Sequence, residues 1–221
     1  MNDITIIFLT LNKVPEKWAK YHRQVLTEAI GDTPIITISK KPLDWGTNLI
    51  QKSEGHANIY RQILRGAKLA KTPYIAIAED DTLYPKAHFI TYRPPMDTFT
   101  YNMSRWGIFT WGEPTYFLKP SMANSSMIAP RDLTIEALEE RFKKGVPDEK
   151  CGELGKEKVE RGLGVTTRKI SSFYTVDPVL CFSHDFAFDR LERTHRKRMW
   201  WIRVYDIPHW GKASDIVKKF V

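Results

Sequence analysis

The chain has 221 residues, of which 42% are hydrophobic and 27% charged, which is enough apolar sequence for a folded core and too much for a disordered chain. The formal net charge of +8 favours a polyanionic or phosphate-bearing partner such as nucleic acid, although surplus surface lysine produces the same excess. Cys151 and Cys181 lack metal-binding or disulfide spacing, and no signal peptide or bilayer-length apolar run is found, so we expect a cytoplasmic protein without a membrane partner.

The first third of the chain predicts alternating strands and helices. Ile4–Leu9 is a continuous apolar, β-branched run, typical of a central strand buried on both faces. Pro15 then suits the first turn of a helix that Gly31 stops. The predicted elements that follow are a strand at 34–39, a short strand at 48–51, an amphipathic helix at 56–70 and a strand at 74–78.

This order predicts an α/β fold with a mostly parallel sheet flanked by helices. Ligands of such sheets bind at the carboxyl ends of the strands, so we expect a site in the loops after Leu9, Ser39 and Ala78. The rest of the chain predicts fewer elements: an irregular aromatic-rich middle at 89–123, a strand at 124–129, a helix at 132–144, a short helix at 153–161, a strand at 176–182 and a basic tail.

Three adjacent acids, Glu79, Asp80 and Asp81, follow the third predicted central strand directly. Their mutual repulsion has to be compensated, and carboxylate oxygens suit Mg²⁺ or Mn²⁺, which in turn binds a diphosphate. A solvated acidic loop that caps the next helix is the simpler alternative.

The segment around these acids carries a family resemblance. Residues 58–61, Gly66, Ala67, Ala70 and 72–81 are similar to the corresponding pattern of GT-A glycosyltransferases, especially the family 2 type. The resemblance covers about residues 4–90, and Gln62 stands where the family has asparagine. It implies a single GT-A-like, Rossmann-like domain over 1–221, with a nucleotide-sugar-binding half at 1–90 and an acceptor-binding half at 91–221.

The resemblance also implies roles for individual residues. Asp81 is expected to bind the metal, while Glu79 and Asp80 face the ribose and base of the nucleotide. Arg61 is expected near the acids or the diphosphate, unless it is an ordinary surface arginine. The residues expected to line the base pocket are Thr10, Asn12, Ser39 and Lys40.

An inverting enzyme of this class also needs a general base for the acceptor hydroxyl. Glu153, between two glycines, has the position of that base, and Asp148, Glu149 and Glu157 are alternatives. A late histidine commonly joins the metal in this family. His184 is the expected ligand and His209 the second candidate.

The basic tail interleaves cations with aromatic residues, a pattern suited to a phosphate backbone and stacked bases. The same pattern equally suits a nucleotide-sugar diphosphate or a tryptophan platform for a sugar ring, and a solvated basic helix has the same composition. The expected acceptor-binding residues are Arg196, Lys197, Arg198, Trp200 and Trp201. The whole chain also resembles small GT-A-like proteins of bacterial viruses, some of which glycosylate hydroxymethylated pyrimidines in DNA, in which case the location is the host cytoplasm.

The resulting expectation is an inverting, Mn²⁺- or Mg²⁺-assisted transfer from a UDP-sugar to 5-hydroxymethylcytosine in DNA. One alternative is a glycosyltransferase with a saccharide or lipid-linked acceptor, which shares every donor-site residue. The alternatives of another class are a metal-dependent nuclease or phosphatase, which needs further carboxylates at other strand ends, and a non-catalytic DNA-binding module.

Overall fold

The computed structural model describes residues 3–145, 151–185 and 202–221. The described helices are α1 (Glu16–Ile30), α2 (His56–Leu69), α3 (Lys86–Ile90), α4 (Arg131–Lys143), α5 (Glu157–Leu163) and α6 (Ala213–Phe220), with a 3-10 turn at Asn124–Ser126. The described strands are β1 (Ile4–Leu9), β2 (Ile35–Ser39), β3 (Thr47–Ile50), β4 (Tyr74–Glu79), β5 (Thr82–Leu83), β6 (Thr98–Asn102), β7 (Arg105–Phe109), β8 (Tyr116–Leu118), β9 (Met127–Pro130), β10 (Lys169–Phe173), β11 (Val179–Ser183), β12 (Arg203–Val204), β13 (Asp206–Ile207) and β14 (Gly211–Lys212).

A seven-stranded central sheet has the order β10-β6-β9-β4-β1-β2-β3. Its neighbouring strands pair in parallel, except that β9 runs antiparallel to both β4 and β6. The chain builds outward from β1 through β2 to β3 and then returns to place β4 on the other side of β1. The predicted α/β fold with a mostly parallel sheet and flanking helices is therefore confirmed, and its strand order reverses between β1 and β4.

Burial on both faces explains why β1 is apolar at every position. All six of its residues are buried, with Ile7 in one hydrophobic cluster and Ile6 in the cluster on the opposite face. Helix α2 approaches the first of these faces closely at Gly66, where an added Cβ would lie 2.8 Å from Ile7 Cγ2. The glycine thus permits the close packing of helix on strand.

A second sheet, of order β12-β8-β7-β11-β5, lies next to helices α1 and α6. Trp18 of α1, Phe182 of β11 and Phe220 of α6 form an aromatic cluster with ring centroids 4.3–5.4 Å apart. Strand β5 begins only three residues after β4 ends, and the Phe182 amide donates to the carbonyl of Asp81 at 2.8 Å. The acidic segment therefore connects the two sheets.

The second half of the chain contains more regular structure than predicted. The stretch expected to be irregular, 89–123, includes β6, β7 and β8, and the strand predicted at 124–129 begins with a 3-10 turn before β9. Strand β10 and helix α6 were also not predicted. In the described parts of the chain, every helix is too short or too polar to cross a membrane.

Candidate functional site

A cleft of about 1090 Å³ opens at the carboxyl ends of β1 and β4, where the strand order reverses. Open α/β sheets bind ligands at this topological position. The lining combines the ends of β1, β4 and β11 with the start of α2, the 3-10 turn and the segment 151–159. Both the acidic segment and the predicted base Glu153 are part of this lining.

The acidic segment is held by neutral donors. Thr10 donates its hydroxyl hydrogen to the Asp80 carboxylate, and the Trp18 indole donates to the Asp80 carbonyl at 2.7 Å. The Thr82 hydroxyl donates to Oδ1 of Asp81 at 3.0 Å. These bonds orient the carboxylates without neutralising them.

The electrostatics of the segment favour a cationic ligand. Burial, with the Asp81 charge as the second cause, raises the pKa of Glu79 to about 8. The same two causes, in the same order, raise the pKa of Asp80 to about 7. Near neutral pH these raised pKa values favour the protonated forms of the two acids, and a bound divalent cation would favour their charged forms instead.

Asp81 and His184 are the residues best placed for a metal ion. Nε2 of His184, at the end of β11, lies 3.6 Å from Oδ2 of Asp81, and its ring is 4% exposed. One carboxylate and one imidazole form a donor set that suits Mn²⁺. In residues 3–145, 151–185 and 202–221 no three His, Cys, Asp or Glu side chains could hold an ion together, so phosphate oxygens and water would complete the shell.

Glu153 lies in the same cleft and its backbone is firmly held. The buried guanidinium of Arg141 donates to the carbonyls of Gly152 and Glu153 at 2.6 and 3.2 Å. The Glu153 carboxylate, with a side chain 25% exposed, pairs with Lys156 Nζ at 3.2 Å. The alternative Glu157 is 60% exposed, pairs with Arg161 and does not line the cleft.

Four predicted binding residues do not line the cleft in the described structure. The Asn12 side chain accepts the amides of Lys40 and Lys41, both at 2.9 Å, and so fastens the loop after β1 to the loop after β2. Ser39 is fully buried and donates to the Lys41 carbonyl. Lys40 pairs with Glu54.

Arg61 is the fourth of these residues. It is exposed, and its guanidinium lies 5.3 Å from the ring centroid of Phe142. Helix α2 turns Arg61 outward because its neighbours Tyr60 and Gln62 face inward and line the cleft.

A buried chain of amides, which sequence reasoning missed, supports Thr10. Gln62 donates to Asn58 at 2.7 Å, Asn58 donates to Gln51 at 2.7 Å, and Gln51 donates to the Thr10 carbonyl at 3.0 Å. Arg65 donates to Gln62 at 2.6 Å and begins the chain at the surface. The only signal in the sequence was the amide residues on the inward face of α2.

Several predicted residues lie elsewhere. His209 does not line the cleft, and its Nδ1 is 3.3 Å from a carboxylate oxygen of Asp177. The predicted acceptor-binding residues Arg196, Lys197, Arg198, Trp200 and Trp201 lie outside the described residues, as do the alternatives Asp148 and Glu149. Arg105 and Lys119, which were not predicted, line the cleft from the second sheet.

Comparisons with known proteins show distant likenesses only. No protein-family model and no curated protein sequence matches the chain. A nucleotidyl transferase from Methanothermobacter thermautotroptrophicus has a TM-score of 0.46 at 13% identity, with 79% of this chain and 88% of that chain covered. A glycosyltransferase involved in glycosylation of the major capsid of PBCV-1 has a TM-score of 0.45 at 14% identity, with 89% of this chain and 99% of that chain covered.

A mannosyltransferase from Pyrobaculum calidifontis, solved with GDP-mannose and Mn²⁺, has a TM-score of 0.47 at 11% identity, with 85% of this chain and 58% of that chain covered. At these scores and identities the likenesses assign no function to this chain. The case for a function therefore rests on the cleft.

Proposed function

We propose that this protein is a metal-dependent glycosyltransferase that transfers a sugar from a nucleotide-sugar, a UDP-sugar in our proposal, to a hydroxyl acceptor. One observation carries the proposal: three carboxylates end a central strand at the point where the strand order reverses, and Asp81 there faces His184 across 3.6 Å. A cleft of about 1090 Å³ around them is large for a ligand site, as a nucleotide-sugar and an acceptor together require.

In this proposal Asp81 and His184 would hold Mn²⁺ or Mg²⁺, which would supply a Lewis acid for the leaving diphosphate. Thr10 and Asp80 lie beside them and contact the ribose and base side of the nucleotide. Glu79 ends β4, and Ser125 donates to its carboxylate. It shapes the floor of the nucleotide site.

Glu153 is the general base of the proposed reaction. Its carboxylate takes the proton of the acceptor hydroxyl as that oxygen bonds to the anomeric carbon, while the nucleoside diphosphate leaves from the opposite face of the sugar. Arg141 supports this role by fixing the Glu153 backbone. Lys156 Nζ lies 3.2 Å from the Glu153 carboxylate and holds it in place. The configuration of the sugar inverts in such a displacement.

The proposed acceptor is 5-hydroxymethylcytosine in DNA, with a saccharide or lipid-linked hydroxyl as the alternative. The support for DNA is the net charge of +8 and the cations at 196–198, which suit a phosphate backbone. A nuclease or phosphatase needs carboxylates from further strand ends. The segments directly after β1 and β2, residues 10–14 and 40–43, contain no acid.

The decisive experiment varies the nucleotide-sugar donor, the metal ion and the protein variant. Wild-type protein is incubated with UDP- and GDP-sugars, Mn²⁺ or EDTA, and DNA with or without hydroxymethylcytosine, and the DNA is digested to nucleosides for mass analysis. Asp81→Asn, which removes one charge at constant shape, should abolish transfer and metal-dependent UDP binding. Transfer that persists in excess EDTA or in Asp81→Asn would contradict the proposal.

Glu153→Gln should reduce turnover by about 10²- to 10⁴-fold and leave UDP-sugar affinity nearly unchanged, because the base acts only on the acceptor. Glu157→Gln is the matched control, since Glu157 is a nearby glutamate that lies outside the cleft. A larger loss of turnover in Glu157→Gln than in Glu153→Gln would show that Glu153 is not the base.

A further inference from the structure

The lysines that line the cleft differ in whether a carboxylate pairs with them. Lys13 pairs with Glu54 at 2.6 Å, and Lys156 pairs with Glu153 at 3.2 Å. Lys119, on the segment after β8, is half-buried and has no carboxylate or hydrogen-bond partner for its ammonium group among the described residues. An ammonium group on the wall of a cleft that no protein carboxylate pairs is available to bind an anionic group of a ligand.

A second cation lies beside Lys119. Arg105, at the start of β7, is 2% exposed, and its carbonyl accepts the backbone amide of Lys119 at 2.9 Å. Its guanidinium donates to the Ser121 carbonyl and contacts the Cys181 thiol at 3.1 Å, and its Nε has no partner in the described chain. In the described residues no carboxylate oxygen lies within ion-pair distance of this guanidinium.

The two cations therefore share one wall of the cleft. Arg105 belongs to the second sheet and Lys119 directly follows its strand β8, whereas Thr10 directly follows β1 of the central sheet. Glu79 lies near Arg105, but no carboxylate of the described residues pairs with Lys119. This wall is positive although the adjacent segment of the cleft is acidic.

We propose that Lys119, backed by Arg105, forms an anion subsite that binds a phosphate group of a substrate, separate from the metal ligands Asp81 and His184. This inference rests on the proposed function for the identity of the substrates, since a phosphate can come from the acceptor, as a DNA phosphodiester, or from the donor diphosphate. A lysine contacts a phosphate as a point charge and needs no fixed geometry.

The test measures binding, so that it does not depend on transferase activity. Lys119→Met removes the charge and keeps much of the side-chain length, and Lys119→Arg retains the charge. Lys158→Met is the matched control, because Lys158 is an exposed lysine of α5 outside the cleft. The probes are UDP with Mn²⁺, inorganic pyrophosphate, and an unmodified single-stranded oligodeoxynucleotide at several salt concentrations.

We expect Lys119→Met to lower the binding affinity for one probe by about tenfold or more, because one charge-assisted contact is lost. Lys119→Arg should restore that affinity. If the oligonucleotide is the affected probe, its salt slope falls by about 1 and the phosphate belongs to the acceptor. If UDP and pyrophosphate are affected instead, it belongs to the donor.

Unchanged affinity for all three probes in Lys119→Met, or an equal loss in Lys158→Met, would overturn the subsite. Failure of the proposed function gives a different result, because a protein that binds phosphate through Lys119 but transfers no sugar retains the subsite and loses only the glycosyltransferase assignment.

Discussion

A buried histidine predicts how the stability of the protein depends on pH. His88 of α3 is fully buried among aromatic rings, its Nδ1 lies 3.3 Å from the Asn102 amide nitrogen, and its Nε2 has no partner in the described residues. Burial, reinforced by the positive charges of Arg105 and Arg93, lowers the pKa of His88 from 6.5 to about 3. The folded state thus holds the ring neutral.

The sign of the effect follows from proton uptake. Below pH 6.5 the unfolded chain binds a proton at His88, whereas the folded chain binds one there only below about pH 3. The folding stability that is present above pH 6.5 is therefore lost as the pH falls. The full loss is about 5 kcal/mol, and by pH 5 it is about 2 kcal/mol. Glu79 and Asp80, whose pKa values are raised, act with the opposite sign, because their stabilising protonated forms are lost as the pH rises.

The assay is therefore a comparison of two proteins. His88→Gln cannot titrate and still offers Asn102 an acceptor, so it removes the histidine contribution and leaves both acids in place. Urea unfolding of wild type and variant at pH 8, 6 and 5 should show the stability advantage of wild type shrinking by about 2 kcal/mol between pH 8 and pH 5. Parallel stability curves for the two proteins would refute the reasoning.

Three further predictions concern packing, the amide chain and the basic tail. Gly66→Ala should cost about 1–3 kcal/mol in urea unfolding, because its Cβ would meet Ile7 at 2.8 Å. Asn58→Ala should cost about 1–3 kcal/mol by the same assay, since it leaves the Gln51 and Gln62 side chains without their partner. Replacing the cations at 196–198 together by alanine should flatten the salt slope of DNA binding by about 2 to 3 units; a wild type that binds DNA without salt dependence would exclude the DNA acceptor.

The first third of the fold could be predicted because its sequence signals are local. Ile4–Leu9 is apolar at every position because both faces are covered, and the apolar spacing of α2 marks the face that packs on β1. The acids after β4 could be placed at the carboxyl edge of the sheet because parallel strands present their carboxyl ends together. Sequence patterns of this kind specify which side chains point inward.

The second sheet could not be predicted because its signals are not local. Strands such as β7 and β8 are short, contain glycine or aromatic residues, and are completed by partners far away, as when Arg105 of β7 pairs with Val179 of β11. Arg61 and Gln62 illustrate the same limit on a smaller scale. The sequence placed both on one helix, but only the rotation of that helix against β1 decides which of them faces the cleft.

The charges of the cleft follow from this division between the two sheets. The central sheet supplies the acids at the end of β4. The second sheet supplies Arg105, and the residues directly after its strands β8 and β11 are Lys119 and His184. A site with carboxylates on one wall and cations on another suits a ligand that carries a phosphate and binds through a divalent metal, since each wall then meets the opposite charge. A ligand of only one charge would leave one wall uncompensated, which is why the arrangement favours a metal-bound, phosphate-bearing substrate over either a simple cation or a simple anion.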